Sequence, residues 1–330
     1  MKVSDFSYYL PPELIAQSPL PDRSASRMLV VHRDSATLED RHFRDLPHYL
    51  TPGDCLVLND SKVFPSRLFG HRATGGKVEV FLLKQIEPRL WTALVKPGRS
   101  LQPGTQIIFT EQLTADVVNR AELGERTIRF HGPIENQLDQ IGHIPLPPYI
   151  KRPDNQADHE RYQTVYAQHP GSVAAPTAGL HFTPGLLAEC KAKGATLAPV
   201  TLHVGLGTFQ SLTTDDVAEV KLHAEHYEIT EESASQMRQA KRLIAIGTTS
   251  LRTIESAGLT PGSGQTTLFI APGYQFRHAA ALVTNFHLPG TSLLLLVAAF
   301  AGIDLARKAY AHAVDNRYRF YSYGDCMLVL

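Results

Sequence analysis

Five short apolar segments at near-regular spacing, between about residues 71 and 132, do most to constrain the fold of this chain. KVEVFLL (77–83) alternates apolar and polar positions, and LWTALV (90–95) follows Pro88. QIIFT (106–110) comes after the turn-rich PGRSLQPG, and LTADVV (113–118) and RTIRFH (126–131) complete the set. A period of two with turn residues between the segments predicts strands, and strands so spaced form a small barrel or sandwich.

The texture on both sides of this block is different. DHERYQTVYA (158–167) puts Tyr162, Val165 and Tyr166 on one helical face, and ATLAPVTLHV (195–204) reads as extended. EESASQMRQAKR (231–242) predicts a helix capped by Thr230, followed by a buried strand RLIAIG (242–247) and a helix opening at TTSLRTIES (248–256). SLLLLVAAFAG and IDLARKAYAHAV predict two more helices, and the final RFYSYGDCMLVL an extended segment. Strands alternating with helices indicate a mixed α/β main domain. The fold class expected is therefore α/β with an inserted small all-β, barrel-like domain. The α/β domain takes residues 1–68 and 145–330, and the insertion 69–144.

The polar motifs concentrate in the α/β part. APTAGLHFT (175–183) has neither helical nor strand period, and packs Thr177, Gly179, His181 and Thr183 into one segment. Thr183 is a good N-cap, Pro184 suits the first helical position, and Leu186, Leu187 and Cys190 give an apolar face that Gly194 ends. His181 is thereby expected near the positive end of a helix, on a turn of small residues. In GTTSLRTIES (247–256) a strand ends at Gly247 and hydroxyl residues open a helix, offering free N–H groups to an anion; Arg252 and Glu255 follow one turn on. TNFHLPGTS (284–292) repeats the pattern with Asn285 and His287 before a cap at Thr291 or Ser292.

LHVGLGTFQ (202–210) holds GLG after a strand, but a lone GxG without the rest of the dinucleotide fingerprint reads as a turn. LHAEHYEI (222–229) groups His223, Glu225 and His226. If helical, the two histidines share a face; if extended, His223 and Glu225 do. With no HExxH or cysteine pair nearby, the reading is acid–base chemistry by Glu225 with a histidine, and no metal. LVLNDSKVFPSRL (56–68) runs from a strand into Asn59, Asp60, Ser61 and Lys62.

Lys+Arg and Asp+Glu are both 32, so any attraction to a polyanion must be local. From Arg67 to Thr110 seven Lys/Arg face two Glu, a local excess of five, enough for a basic β module to hold RNA. Three scattered cysteines form neither a disulfide framework nor a metal clamp and fit a reducing compartment. The N-terminus lacks the apolar core of a signal peptide, and the run Leu293–Ala301 is too short for a bilayer, so the expectation is a cytoplasmic protein without a membrane partner.

Taken together, NDSKVFPSRL, IPLPPYI (144–150), ERYQTVYA (160–167), APTAGLHFT, LHVGLGTF, GTTSLRTIES, TNFHLPGTSLLLLVAAFAG and RFYSYGDCMLV resemble, in order, the motifs of the S-adenosylmethionine:tRNA ribosyltransferase-isomerase family of queuosine biosynthesis. The resemblance runs from about residue 3 to the end. One departure is that the chain stops soon after SYGDCMLV, without the polar tail many members carry. The resemblance implies an α/β domain with an inserted β-barrel, as the texture does. It also implies transfer of the ribosyl part of S-adenosylmethionine, a co-substrate in the absence of any permanent cofactor. The acceptor is 7-aminomethyl-7-deazaguanine at the wobble position of tRNA with a GUN anticodon. Adenine and methionine leave, and the product is epoxyqueuosine in tRNA. An RNA methyltransferase and a noncatalytic RNA-binding protein are the rival readings, and a monomer is the default.

That chemistry needs a base for the proton beside the sulfonium, an acid or donor for departing adenine, and an anion site for the methionine carboxylate. His181, or His226 with Glu225, is the expected proton-transfer group. Thr248, Thr249, Ser250 and Arg252 are expected at the anion site. Thr177, Gly179, Asn285, His287, Tyr323 and Asp325 are expected around ribose, adenine or the modified base. Arg67, Arg72, Lys96, Arg99, Lys151 and Arg152 are expected on tRNA phosphates, with Tyr149 or Phe182 stacking on the splayed base.

Overall fold

Three 3-10 turns (Val3–Phe6, Pro12–Leu14 and Arg23–Ala25) lead into a hairpin, β1 (Arg27–His32) and β2 (Thr37–His42), then β3 (Asp54–Asn59) and the short β4 (Ser61–Val63), in this computed structural model, which describes residues 1–121, 124–205, 212 and 214–330. Six antiparallel strands follow: β5 (Arg67–Arg72), β6 (Lys77–Glu87), β7 (Leu90–Lys96), β8 (Gln106–Thr110), β9 (Leu113–Arg120) and β10 (Arg126–Phe130). They close into a barrel in the order β10-β7-β6-β5-β8-β9. Alternate residues fill its interior, among them Val78, Val80 and Leu82 of β6 with Leu113, Ala115 and Val117 of β9. The five expected strands are present, and β5 is a sixth. Leu68 is buried and Phe69 exposed, but Gly70 and His71 hide the period of that strand from a sequence reading.

After the barrel come α1 (Leu138–Ile141), α2 (Gln156–Arg161), β11 (His169–Ser172), a 3-10 turn over Thr177–His181, α3 (Pro184–Ala192), β12 (Thr196–Leu202) and β13 (Glu225–Ile229). The chain ends with α4 (Glu231–Gln239), β14 (Arg242–Ile246), α5 (Thr248–Ala257), β15 (Gly262–Thr266), β16 (Ala279–Asn285), α6 (Ser292–Ala301), α7 (Ile303–Asp315) and β17 (Cys326–Val329). Nine strands form one sheet in the order β15-β13-β12-β3-β14-β16-β17-β1-β2. Within it β12, β3, β14 and β16 are mutually parallel, so their carboxyl ends share one edge.

Both faces of this sheet are covered, which is why its strands read as nearly continuous apolar runs. Leu29, Val31, Ala245 and Leu282 pack beneath α6 and α7 on one face. Met28, Val30, Ile244 and Ile246 pack on the other against Phe43, Phe182 and α3. The caps are those expected: Thr183, Thr230 and Thr291 accept from Leu186, Ser233 and Leu294 backbone N–H groups. Two expected helices are shorter than their patterns: α4 stops at Gln239 and not at residue 242, and α2 stops at Arg161 and not at residue 167. Arg23 donates to the carbonyls of Glu160 and Gln163, and the Gln163 amide pairs with the Val63 backbone, so tertiary bonds take the groups a longer helix would need. The C-terminal extended segment is likewise reduced to β17. LHAEHYEI takes the extended alternative in β13.

Candidate active-site cleft and its relatives

The shared carboxyl edge of β12, β3, β14 and β16 is where an open α/β sheet offers loop residues and helix N-termini to a ligand. Asn59 fastens that edge together. Its amide donates to the Leu202 carbonyl at 3.0 Å and to Thr249 Oγ1 at 3.1 Å, and its Oδ1 accepts from the Ser61 and Leu202 N–H groups, both at 3.1 Å. The α5 N-terminus beside it is capped by Gly247, which has no side chain to satisfy the first-turn N–H groups. Thr248 is buried and Thr249 half-buried at this terminus, whereas Ser250 Oγ donates back to the Ile246 carbonyl at 2.9 Å. Ser250 therefore contributes a backbone N–H to the terminus, its hydroxyl being already engaged.

A cleft of about 1400 Å3 lies between the barrel wall at Leu83, Trp91 and Thr92 and the α/β residues His203, Glu225 and Arg252. His226 lines it as well. Strand alternation separates the two neighbours on β13, with Glu225 buried and His226 exposed. Glu225 is not paired with a histidine as expected. It is ion-paired with Arg252, and its Oε1 accepts from the Gly205 N–H at 3.1 Å. These two partners fix the orientation of the carboxylate. The His226 ring instead stacks parallel to His203 at 6.2 Å, an interplanar angle of 9°. Burial, followed by the neighbouring histidines, pushes the His203 imidazole down from its ordinary value, keeping it neutral near pH 7. His203 was not singled out from sequence, although it ends an apolar strand directly before a glycine turn. The rest of that turn, 206–210, lies outside the described residues.

His181 has a different setting. It is 3% exposed and 3.3 Å from the Asn285 amide, which also donates to the Tyr321 carbonyl at 3.0 Å. Burial, only partly offset by the Asn285 bond, depresses its pKa to about 3. An imidazole accepting at Nε2 and neutral throughout the physiological range is a hydrogen-bonding element. Gly179, expected to admit ligand, is required by packing, because a Cβ there would lie 2.1 Å from Tyr166 Oη. Thr177 opens the same turn half-buried. His287 bonds Thr284 Oγ1 at 2.9 Å, receives Tyr8 Oη at its carbonyl, and is likewise held near a pKa of about 3 by burial.

Other expected ligand residues are occupied elsewhere. Tyr323 Oη donates to Asp158 at 2.8 Å, and Asp325 accepts from the Arg27 and Arg319 N–H groups at 2.9 and 2.8 Å. Arg152 grips Asp158 with two bonds of 2.7 and 2.8 Å, which removes it from the free phosphate ligands. Arg67 is ion-paired with Glu79 at 3.2 Å, and the Arg72 guanidinium folds against Gly76. Lys96, Arg99 and Lys151 are exposed without an acidic partner among the described residues. Phe182 is 0% exposed between Phe43 and Tyr166 and cannot stack on a base, while Tyr149 is half-buried against Tyr321 at 4.0 Å. No cluster of three His, Cys, Asp or Glu placed to hold a metal occurs among the described residues.

Comparison with known proteins agrees with this geometry. Residues 3–329 match the family described as Queuosine biosynthesis protein. An S-adenosylmethionine:tRNA ribosyltransferase-isomerase from Solibacter usitatus is 57% identical over 352 residues, covering 100% of both chains. One of the same name from Thermotoga maritima is 48% identical over 338 residues, again covering 100% of both. The crystal structure of S-adenosylmethionine tRNA ribosyltransferase from Thermotoga maritima superposes with a TM-score of 0.57 at 38% identity, over 99% of this chain and 100% of that one. An α/β sheet, an antiparallel barrel and a family match spanning nearly every residue lead to one conclusion: this chain belongs to the queuosine biosynthesis protein family.

Proposed function

We propose that this protein transfers and isomerises the ribosyl part of S-adenosylmethionine onto 7-aminomethyl-7-deazaguanine at the wobble position of tRNA with a GUN anticodon. Adenine and methionine leave, and epoxyqueuosine-tRNA is the product. The observation that carries this reading is the cleft of about 1400 Å3 in which a neutral histidine, a second histidine and a guanidinium meet opposite the barrel. It is large enough for a co-substrate and a flipped nucleotide together.

In this reading His226 removes the proton from the carbon beside the sulfonium, and His203, neutral and parallel to it, donates a hydrogen bond toward departing adenine. The α5 N-terminus, whose Gly247 N-cap has no side chain to bond its N–H groups, stabilises negative charge with Thr248 and Thr249. Asn285 bonds His181 and so holds the turn over Thr177–His181 in place. Lys96, Arg99 and Lys151 take tRNA phosphates. The protein works as a cytoplasmic monomer.

One assay tests the activity: incubation with labelled S-adenosylmethionine and tRNA carrying the aminomethyl base. Free adenine with methionine supports the reading. S-adenosylhomocysteine would indicate methyl transfer in its place, and tRNA binding without turnover would leave a binding protein.

A further inference from the structure

Arg252 is only 7% exposed and is held at two of its three nitrogens. Nε donates to the Leu268 carbonyl at 2.9 Å, and Nη1 is ion-paired with Glu225. The third nitrogen, Nη2, is shielded from solvent and has no acceptor among the described residues. A buried guanidinium N–H without an acceptor is costly; of the five such arginine nitrogens among the described residues, the one on Arg252 belongs to a side chain that lines the cleft, where a bound group can complete it. Both Arg252 and Glu225 line the cleft. The fixed plane of the guanidinium therefore presents Nη2 as a preorganised donor, and the carboxylate beside it keeps lone pairs beyond those taken by Arg252 and Gly205.

We propose that the Glu225–Arg252 pair reads the α-amino-acid end of the co-substrate as a zwitterion, with the α-carboxylate on Arg252 Nη2 and the α-ammonium on Glu225. The pair is neutral as a unit, so it offers little to a phosphate backbone, which a free guanidinium would attract. Adjacent opposite charges instead complement adjacent opposite charges. Glu225 thus has two tasks: it orients Arg252, and it accepts from the ammonium. This assignment rests on the ribosyl-transfer reading only in taking the co-substrate to carry a free α-amino acid.

Three ligands test it on the full-length protein: S-adenosylmethionine, its decarboxylated form, and the analogue lacking the α-amino group. Calorimetric binding should weaken about tenfold or more for each analogue with the unaltered protein, the scale of one charge-assisted hydrogen bond. In Arg252→Lys the penalty for losing the carboxylate should shrink to about threefold or less, with the penalty for losing the ammonium retained. Glu225→Gln should do the reverse. Equal binding of all three ligands by the unaltered protein would overturn the proposal, even if a variant failed to fold. Uniform weakening in the variants, with discrimination unchanged, would also overturn it and reduce the pair to a structural brace. The activity is read separately as adenine release with tRNA. Discrimination without adenine release would sink the ribosyl-transfer reading and leave the zwitterion site standing.

Discussion

The carboxyl edge of the sheet has a closed end and an open end, and they use the same residue types in opposite ways. At the closed end His181, Asn285 and His287 are each less than 9% exposed and bonded to one another's neighbours, so their polarity is spent on fixing the chain. At the open end His203, His226 and Arg252 border a cleft, and the Arg252 donor Nη2 is left without an acceptor among the described residues. A motif histidine thus faces a cleft at one end and is enclosed by the fold at the other. Solvent access separates the two, because burial removes the imidazole's capacity to change charge.

The sharpest way to break this contrast is a pair of substitutions. His226→Ala should slow single-turnover adenine release about 100-fold or more while leaving the denaturation midpoint nearly unchanged. His181→Ala should cost about 2–4 kcal/mol of stability, measured by denaturant unfolding, because it removes a buried ring and leaves the Asn285 amide short of a partner. The opposite pattern, a stable but inactive His181→Ala and a fully active His226→Ala, would exchange the roles of the two ends.

Arg152→Ala comes next. It leaves Asp158 buried with half its partners, so about 2–3 kcal/mol of stability should be lost, with discounting for the part-exposed guanidinium. The salt dependence of tRNA binding should not change. A flatter salt slope in this variant would restore Arg152 to the phosphate contacts.

Acid titration probes the closed end without mutation. His181 and His287 fall from the ordinary 6.5 to about 3 in the fold. Above pH 6.5 both are neutral whether the chain is folded or not, and their contribution is complete. Between that value and about 3 the unfolded chain binds protons that the native one refuses, so stability declines as pH falls. The slope should reach about 1.4 kcal/mol per pH unit for each histidine. Denaturant midpoints at pH 7, 6 and 5 would show this, and His287→Asn should remove about half of the slope. A midpoint independent of pH over that interval would mean that the closed end admits charge.

The smallest effects belong to the exposed cations. Lys96→Ala, Arg99→Ala and Lys151→Ala should each weaken tRNA binding a few-fold and lower the log–log salt slope by about one. Binding that barely responds to salt would remove phosphate contacts from the picture.

The sequence made some of this legible for identifiable reasons. The barrel strands announce themselves because a half-buried strand needs alternation, and KVEVFLL and RTIRFH keep it cleanly. Caps at Thr183, Thr230 and Thr291 are equally local and equally readable. The pairing of Glu225 with Arg252 is not local. It joins residues from β13 and α5 that only the sheet order brings together, and neither residue type names its partner. The intramolecular partners of Tyr323, Asp325 and Arg152 were hidden for the same reason. A polar residue in a conspicuous motif looks like a ligand contact, yet these three lock loops to one another once the chain has folded.

The position of β17 carries a consequence for biosynthesis. This strand, the last in chain order, lies between β16 and β1, with Met28 against Cys326 and Leu282 against Val329. The hairpin of β1 and β2 precedes the other strands in chain order, yet it joins the rest of the sheet only through β17. For most of its synthesis the nascent chain therefore carries an unmated apolar hairpin, while the barrel, built from consecutive segments, is free to close early.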